Sequence, residues 1–159
     1  MNTKLIILLL FLTFSGCDFL FETRESENLG SGYRFLIWDG SAGIVNSDSV
    51  YVISSEVLKY AYDSTFIIAS QRPWDSIPGV PDLELMKYKE RNEAFKQSTF
   101  KQYWIINKKE KNNYTGYNSN RNRANYSNVY GPYSKKEYLQ KRVEMGVPEK
   151  LKLDFEEED

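Results

Sequence analysis

The sequence predicts an α+β domain: mostly antiparallel β-sheet with a C-terminal helix packed on it. Three observations carry that expectation. Short aromatic and β-branched runs recur between residues 33 and 107, several closed by turn signals such as Asp39-Gly40 and Asn46-Ser47-Asp48. A well-marked helix start, Ser134-Lys135-Lys136-Glu137, comes late in the chain. With its leader set aside, the 159-residue chain has the size of one domain with one core.

The leader is residues 1–16. Lys4 gives a basic start, Leu5 to Phe14 an apolar run, and Ser15-Gly16 small residues at a cleavage point, which together read as a secretory signal. The run is too short to span a bilayer, which takes about 20 residues. Residues 17–32 read as a tether. Phe19-Leu20-Phe21 can dip among lipid headgroups, while Glu22 to Gly32 is polar and ends in the flexible composition Gly30-Ser31-Gly32. Fully extended, the tether reaches at most roughly 50 Å. Residues 33–159 are the globular domain.

Within it, Tyr33 to Trp38 is the first expected strand, ended by the hairpin signal Asp39-Gly40. Ala42 to Val45 and Val50 to Ser54 come next as strands, and Val57 to Tyr62 suits a strand or a single helical turn. Thr65 to Ala69 is a buried-type strand, giving an antiparallel meander. Arg72 to Asp82, with three prolines, is a loop; Asp82 is placed to cap a helix through about Gln97, with Leu83, Met86 and Tyr88 on one face. Gln102 to Asn107 is another strand, and Lys108 to Asn128 an extended loop or long hairpin tip, too long a stretch for a compact domain unless part of it is strand. In the C-terminal helix, the Ser134–Glu137 capping box is flanked by Tyr133 and Tyr138 at staple positions. Tyr138, Leu139 and Val143 form the expected apolar face, Gly146 the left-handed cap, and Pro148 the stop. Leu151, Leu153 and Phe155 alternate as a last strand would.

Composition removes whole classes of chemistry. There is no histidine and one cysteine, Cys17. An intramolecular disulfide, a His/Cys zinc cluster and a Ser-His or Cys-His nucleophile pair are therefore excluded. Carboxylates, Lys or Tyr remain as catalysts. Asp39 and Asp63 sit at strand ends, but each is already explained by a turn. The expectation is no enzyme, no catalytic residue, no metal and no cofactor. Net charge is −1 over the chain, so nothing global calls for nucleic acid. It is unevenly spread: residues 17–86 hold 4 basic and 11 acidic side chains, and residues 87–123 hold 10 basic and 3 acidic. The basic segment suits anionic headgroups or an acidic partner, and a solvated face balancing acids elsewhere explains it more simply. Trp74 among prolines, with Tyr114, Tyr117, Tyr126 and Tyr130 among asparagines, has the chemistry of a sugar or peptide platform. Half-buried strand tyrosines are the simpler explanation.

Phe14-Ser15-Gly16-Cys17 resembles the processing box of bacterial lipoproteins, matching three positions and departing at the first. That resemblance implies a diacylglyceryl group on the Cys17 sulfur and a further acyl chain on its amino group, enough chains for stable anchoring. Asp18, just after the cysteine, is a sorting cue that different bacteria read differently. Three further stretches, Tyr60 to Ala69, Tyr103 to Lys108 and Gly131 to Ser134, resemble an uncharacterised family of small bacterial lipoproteins, a domain of unknown function. The resemblance implies an exported, lipid-anchored, mostly β protein. The expected role is a non-enzymatic binding module at the bacterial cell envelope, on the outer or cytoplasmic membrane, with another envelope protein or a glycan as partner. The alternative is an inhibitor or immunity-type lipoprotein acting against a secreted toxin or enzyme.

Overall fold

The computed structural model describes residues 25–38, 40–54, 56–80, 83–119 and 123–153. Cys17, the leader, Asp39, Asp82 and Phe155 lie outside the described residues.

Two antiparallel sheets and a hairpin make up the β structure. β1 (Glu25–Gly30), β2 (Tyr33–Trp38), β3 (Ser41–Val45) and β4 (Tyr51–Ile53) form the first sheet as a meander in chain order. β5 (Val57–Tyr62), β6 (Phe66–Gln71) and β7 (Gln102–Asn107) belong to the second. Its remaining member is β10 (Val129–Tyr133), and the order across it is β10-β7-β6-β5. Between β7 and β10 the chain makes the hairpin β8 (Tyr114–Asn118) and β9 (Arg123–Tyr126). A 3-10 turn (Leu83–Leu85), α1 (Tyr88–Gln97) and α2 (Lys135–Met145) complete the elements.

The centre of the second sheet, β6 and β7, is buried on both faces, which explains why these strands read as unbroken apolar runs. Ile67, Ala69, Trp104 and Ile106 point toward the first sheet and pack with Leu29, Tyr33, Ile44 and Ile53. Their alternates Phe66, Ile68, Tyr103 and Ile105 point the other way, onto Tyr138, Val147, Leu151 and Leu153. The strand period of two thus divides one sequence run between two cores.

The structure corrects three expectations. Residues 25–30 are a strand, not linker: Ser31 and Gly32 have φ of 52° and 81°, the paired positive values of a tight hairpin turn, and Leu29 is fully buried. The polar residues that resembled a linker lie along an exposed edge, where Glu27 accepts hydrogen bonds from Tyr60 and Tyr62. Of the alternatives for residues 108–128, the structure has the hairpin: part of the stretch is β8–β9, with an irregular register at Gly116 (φ 143°). Second, α1 begins at Tyr88 after Lys87, which makes no side-chain cap.

The third correction concerns α2 and the residues just beyond its end. Its start is as expected: Ser134 Oγ accepts from the Glu137 N–H, and Glu137 accepts from the Ser134 N–H at 2.9 Å. It ends at Gly146 with φ 68°. Its buried face, however, is Tyr138 and Arg142, while Leu139 is 41% and Val143 82% exposed. Tyr138 stacks on Tyr103 at 5.2 Å, and the Arg142 guanidinium donates to the Leu151 carbonyl at 2.6 Å and the Pro148 carbonyl at 3.2 Å. Residues 151–153 are therefore not a strand. A side chain holds the carbonyl that a ladder would use, and Leu151 and Leu153 plug the core beneath the helix.

Candidate functional site

Where the two sheets meet α1, a cleft of about 680 Å³ opens among the described residues. All three tryptophans of the chain, Trp38, Trp74 and Trp104, line it. Each arrives from a different element. Trp38 ends β2 opposite Ser41 of β3, and Gly40, just before Ser41, has φ 68°. Trp104 comes from the middle of β7 and forms the floor at 2% exposure. Trp74 sits just past β6, in the loop opened by Pro73.

Helix α1 holds Trp74 in place. Tyr88, Arg91, Asn92 and Phe95 follow the 3.6-residue period and so share one face of the helix. Phe95 meets the Trp74 ring edge-on at 4.7 Å, Tyr88 lies 6.2 Å away, and the Arg91 guanidinium sits 5.4 Å from the indole centroid. This face docks the helix, while Leu83, also buried, belongs to the 3-10 turn before it. Trp74 and Arg72, both just past β6, are what this strongly charged helix packs against.

The floor is polar as well as aromatic. Trp104 Nε1 donates to Gln71 Oε1 at 2.7 Å, and Gln71 Nε2 donates to the Ser54 carbonyl at 2.6 Å. Arg123, buried on β9, places its guanidinium 4.4 Å from the Trp104 ring centroid, within the range of a cation–π contact. Arg72 lies 3.5 Å from Glu56 and 5.5 Å from the Phe95 ring. Asp75, Asn92, Lys96 and Gln102 line the remainder. The result is a concave site with broad rings and a few fixed polar groups, of the size that takes small ligands.

Of the aromatics singled out from the sequence as a platform, the cleft contains Trp74 only; Lys96 and Arg123 of the basic segment 87–123 also line it. Tyr114 and Tyr117 are exposed on β8, and Tyr114 meets Tyr126 edge-on at 5.8 Å. Tyr126 also accepts from Asn46 Nδ2 at 2.8 Å, which ties the hairpin to the first sheet. Tyr130 donates to Glu110. The sequence reading missed Trp38, Trp104 and Arg72, and held Arg123 only as one member of the basic segment, because nothing in their spacing shows that they converge. One signal was available: Trp38 is a large aromatic directly before a turn, and it is 48% exposed.

Elsewhere, Asp63 is committed to the β5–β6 turn, accepting from the Thr65 and Phe66 N–H groups at 2.7 Å each. Burial opposes its ionisation, but these bonds and nearby Lys108 prevail and lower its pKa. Lys108 donates to the Leu29 carbonyl at 2.7 Å and to the Asp63 carbonyl, so this member of the basic segment ties β1 to the second sheet. Burial lowers its own pKa. Among the described residues there is no cluster of three or more metal-ligating acids, cysteines or histidines, and no helix long and apolar enough to cross a membrane.

A family model described as "Protein of unknown function (DUF3997)" matches residues 32–158. No curated protein and no solved structure matches the chain.

Proposed function

Since the chain belongs to this family of proteins of unknown function, we propose from its own residues that it is a bacterial envelope lipoprotein. In this reading Cys17 carries the lipid and the β-rich domain is a non-enzymatic binding module. The observation that carries the binding role is the cleft, where the chain's three tryptophans converge with arginine and amide side chains. Clefts of this size and lining recognise ligands by ring contact and a few oriented hydrogen bonds. The anchor rests on the basic start, the apolar run and Ser15-Gly16-Cys17. Because β1 begins at Glu25, the tether free of the fold spans residues 17–24 at most, about 25–30 Å when extended. That length keeps the domain close to the bilayer, where its partner is an envelope component.

Absence of catalysis is part of the proposal. Glu56 and Asp75 both line the cleft, but Glu56 is paired with Arg72 at 3.5 Å. The test has two arms. Mass spectrometry of the native protein is expected to find Cys17 as an acylated N-terminus, and Cys17→Ala to move the protein into the aqueous fraction; a bare thiol in a membrane-free protein contradicts the anchor. Crosslinking in intact cells is expected to capture an envelope component with the wild type and lose it with Trp38→Ala. Turnover of a captured ligand that stops with Glu56→Gln contradicts the non-enzymatic role.

A further inference from the structure

We infer that the cleft takes carbohydrate, a short run of sugar rings from an envelope glycan; this rests on the binding reading above. A sugar ring presents flat C–H faces and a rim of hydroxyls that both donate and accept hydrogen bonds. Aromatic faces cover the first, and planar polar side chains meet the second. The cleft supplies both in one place. Trp38 and Tyr88 stand at its mouth, 48% and 70% exposed. The amides of Asn92 and Gln102 offer donors and acceptors together, Glu56 and Asp75 offer acceptors, and Arg72 and Lys96 offer donors.

Other occupants fit less well. A lipid tail favours a lining without charge, and five charged side chains line this one. A polyanion favours a surplus of cations, but three cations face two carboxylates here and Arg72 is already paired with Glu56. An extended peptide gains its affinity from an open strand ladder. In this cleft Glu56 and Arg72 exchange both of their backbone hydrogen bonds, at 2.9 and 2.8 Å, and Gln71 occupies the Ser54 carbonyl. The site therefore offers side chains rather than free backbone.

Its rings are also set in advance. Trp74 is held between Phe95 and Arg91, and Trp104 by its bond to Gln71. Ligand binding then has only the exposed rings at the mouth, Trp38 and Tyr88, left to order, which suits the weak, repeated contacts a glycan offers.

Intrinsic fluorescence tests this directly, because every tryptophan in the chain lines the cleft. The full chain in detergent micelles is titrated with tetrasaccharides of β-1,4-linked N-acetylglucosamine and of β-1,4-linked glucose, and separately with a pool of polar peptides. The expected result is a saturable emission change with at least one tetrasaccharide. Trp38→Ala is expected to weaken it ~10-fold and Trp38→Phe to restore most of it, with Tyr117→Ala on the remote hairpin matching the wild type. No saturable change with either tetrasaccharide up to about 10 mM overturns the inference. If the peptides alone give a Trp38-dependent change, the sugar class is wrong and the binding reading stands. If neither probe nor a whole-envelope extract changes the emission, both fall.

Discussion

Trp104 and Gln71 are joined at the floor of the cleft by a 2.7 Å hydrogen bond from the indole Nε1 to the amide Oε1. The other end of the amide donates to the Ser54 carbonyl at 2.6 Å. One side chain thus fixes the orientation of the central tryptophan and links β6 to the segment after β4. Replacing it with Ala leaves the indole N–H, in a residue 2% exposed, without its acceptor. Gln71→Ala is expected to lower the stability of unfolding by about 1–3 kcal/mol in urea denaturation. A variant as stable as the wild type would show that the bond contributes nothing to the floor.

Gly131 marks a backbone approach that admits no side chain. A Cβ there would lie 2.7 Å from the Tyr103 carbonyl oxygen and 2.8 Å from a Trp104 ring carbon, at φ 125°. Gly131→Ala must displace β10, the floor tryptophan or both. We expect a loss of about 2–4 kcal/mol, with a perturbed tryptophan emission in the folded state. Gly79→Ala is the contrast, since nothing lies within 4 Å of its Cβ. It should cost less and leave the emission unchanged.

The tie between β1 and β5 gives stability a pH dependence at both ends. Hydrogen bonds from Tyr60 and then Tyr62 lower the Glu27 pKa from its ordinary 4.5. That contribution is complete above pH 4.5 and is lost as pH falls through the lowered folded value. Tyr60 runs the other way. Burial and its bond to Glu27 push it up to about 12 from 10, so its contribution is complete below pH 10 and lost as pH rises toward 12. Urea midpoints against pH should show Glu27→Gln flatter than wild type in acid and Tyr60→Phe flatter in alkali. Parallel curves for all three proteins would contradict the tie. Because Glu27 is solvent-exposed, the expected amplitude is small.

The start of α2 isolates a local contribution. Ser134→Ala removes the acceptor for the Glu137 N–H and is expected to cost about 1 kcal/mol. Ser134→Asp should recover most of it, because a carboxylate accepts at the same point. Thermal unfolding followed by circular dichroism checks both, and equal midpoints for wild type and Ser134→Ala would exclude the cap as a contributor.

The range of each interaction explains which features the sequence displayed and which it concealed. The α2 start was legible because Ser134 and Glu137 are three residues apart and satisfy each other's backbone. The β2, β6 and β7 runs were legible because local aromatic and β-branched content matches strand geometry. β1 was not: its pattern ESENLG is polar because Glu27 serves tyrosines more than thirty residues away. The α2 face was misjudged because Arg142 is buried by its bonds to the Leu151 and Pro148 carbonyls, so a charged residue occupies the place where an apolar one was expected. The cleft was the least legible feature. Trp38, Trp74 and Trp104 come together only when two sheets and a helix are assembled, and Trp74 alone stood out locally, by its place among prolines.

Oxidative footprinting of the protein in its native envelope, read by mass spectrometry, tests the binding role of the cleft without assuming a ligand. Trp38, Tyr88, Tyr114 and Tyr117 are all open to labelling in the isolated fold, at 48%, 70%, 61% and 54% exposure. The cleft account predicts that Trp38 and Tyr88 are protected in the envelope relative to purified protein, while Tyr114 and Tyr117 label equally in both. Equal labelling of Trp38 and Tyr88 in the two settings, or protection confined to the β8 tyrosines, would contradict it.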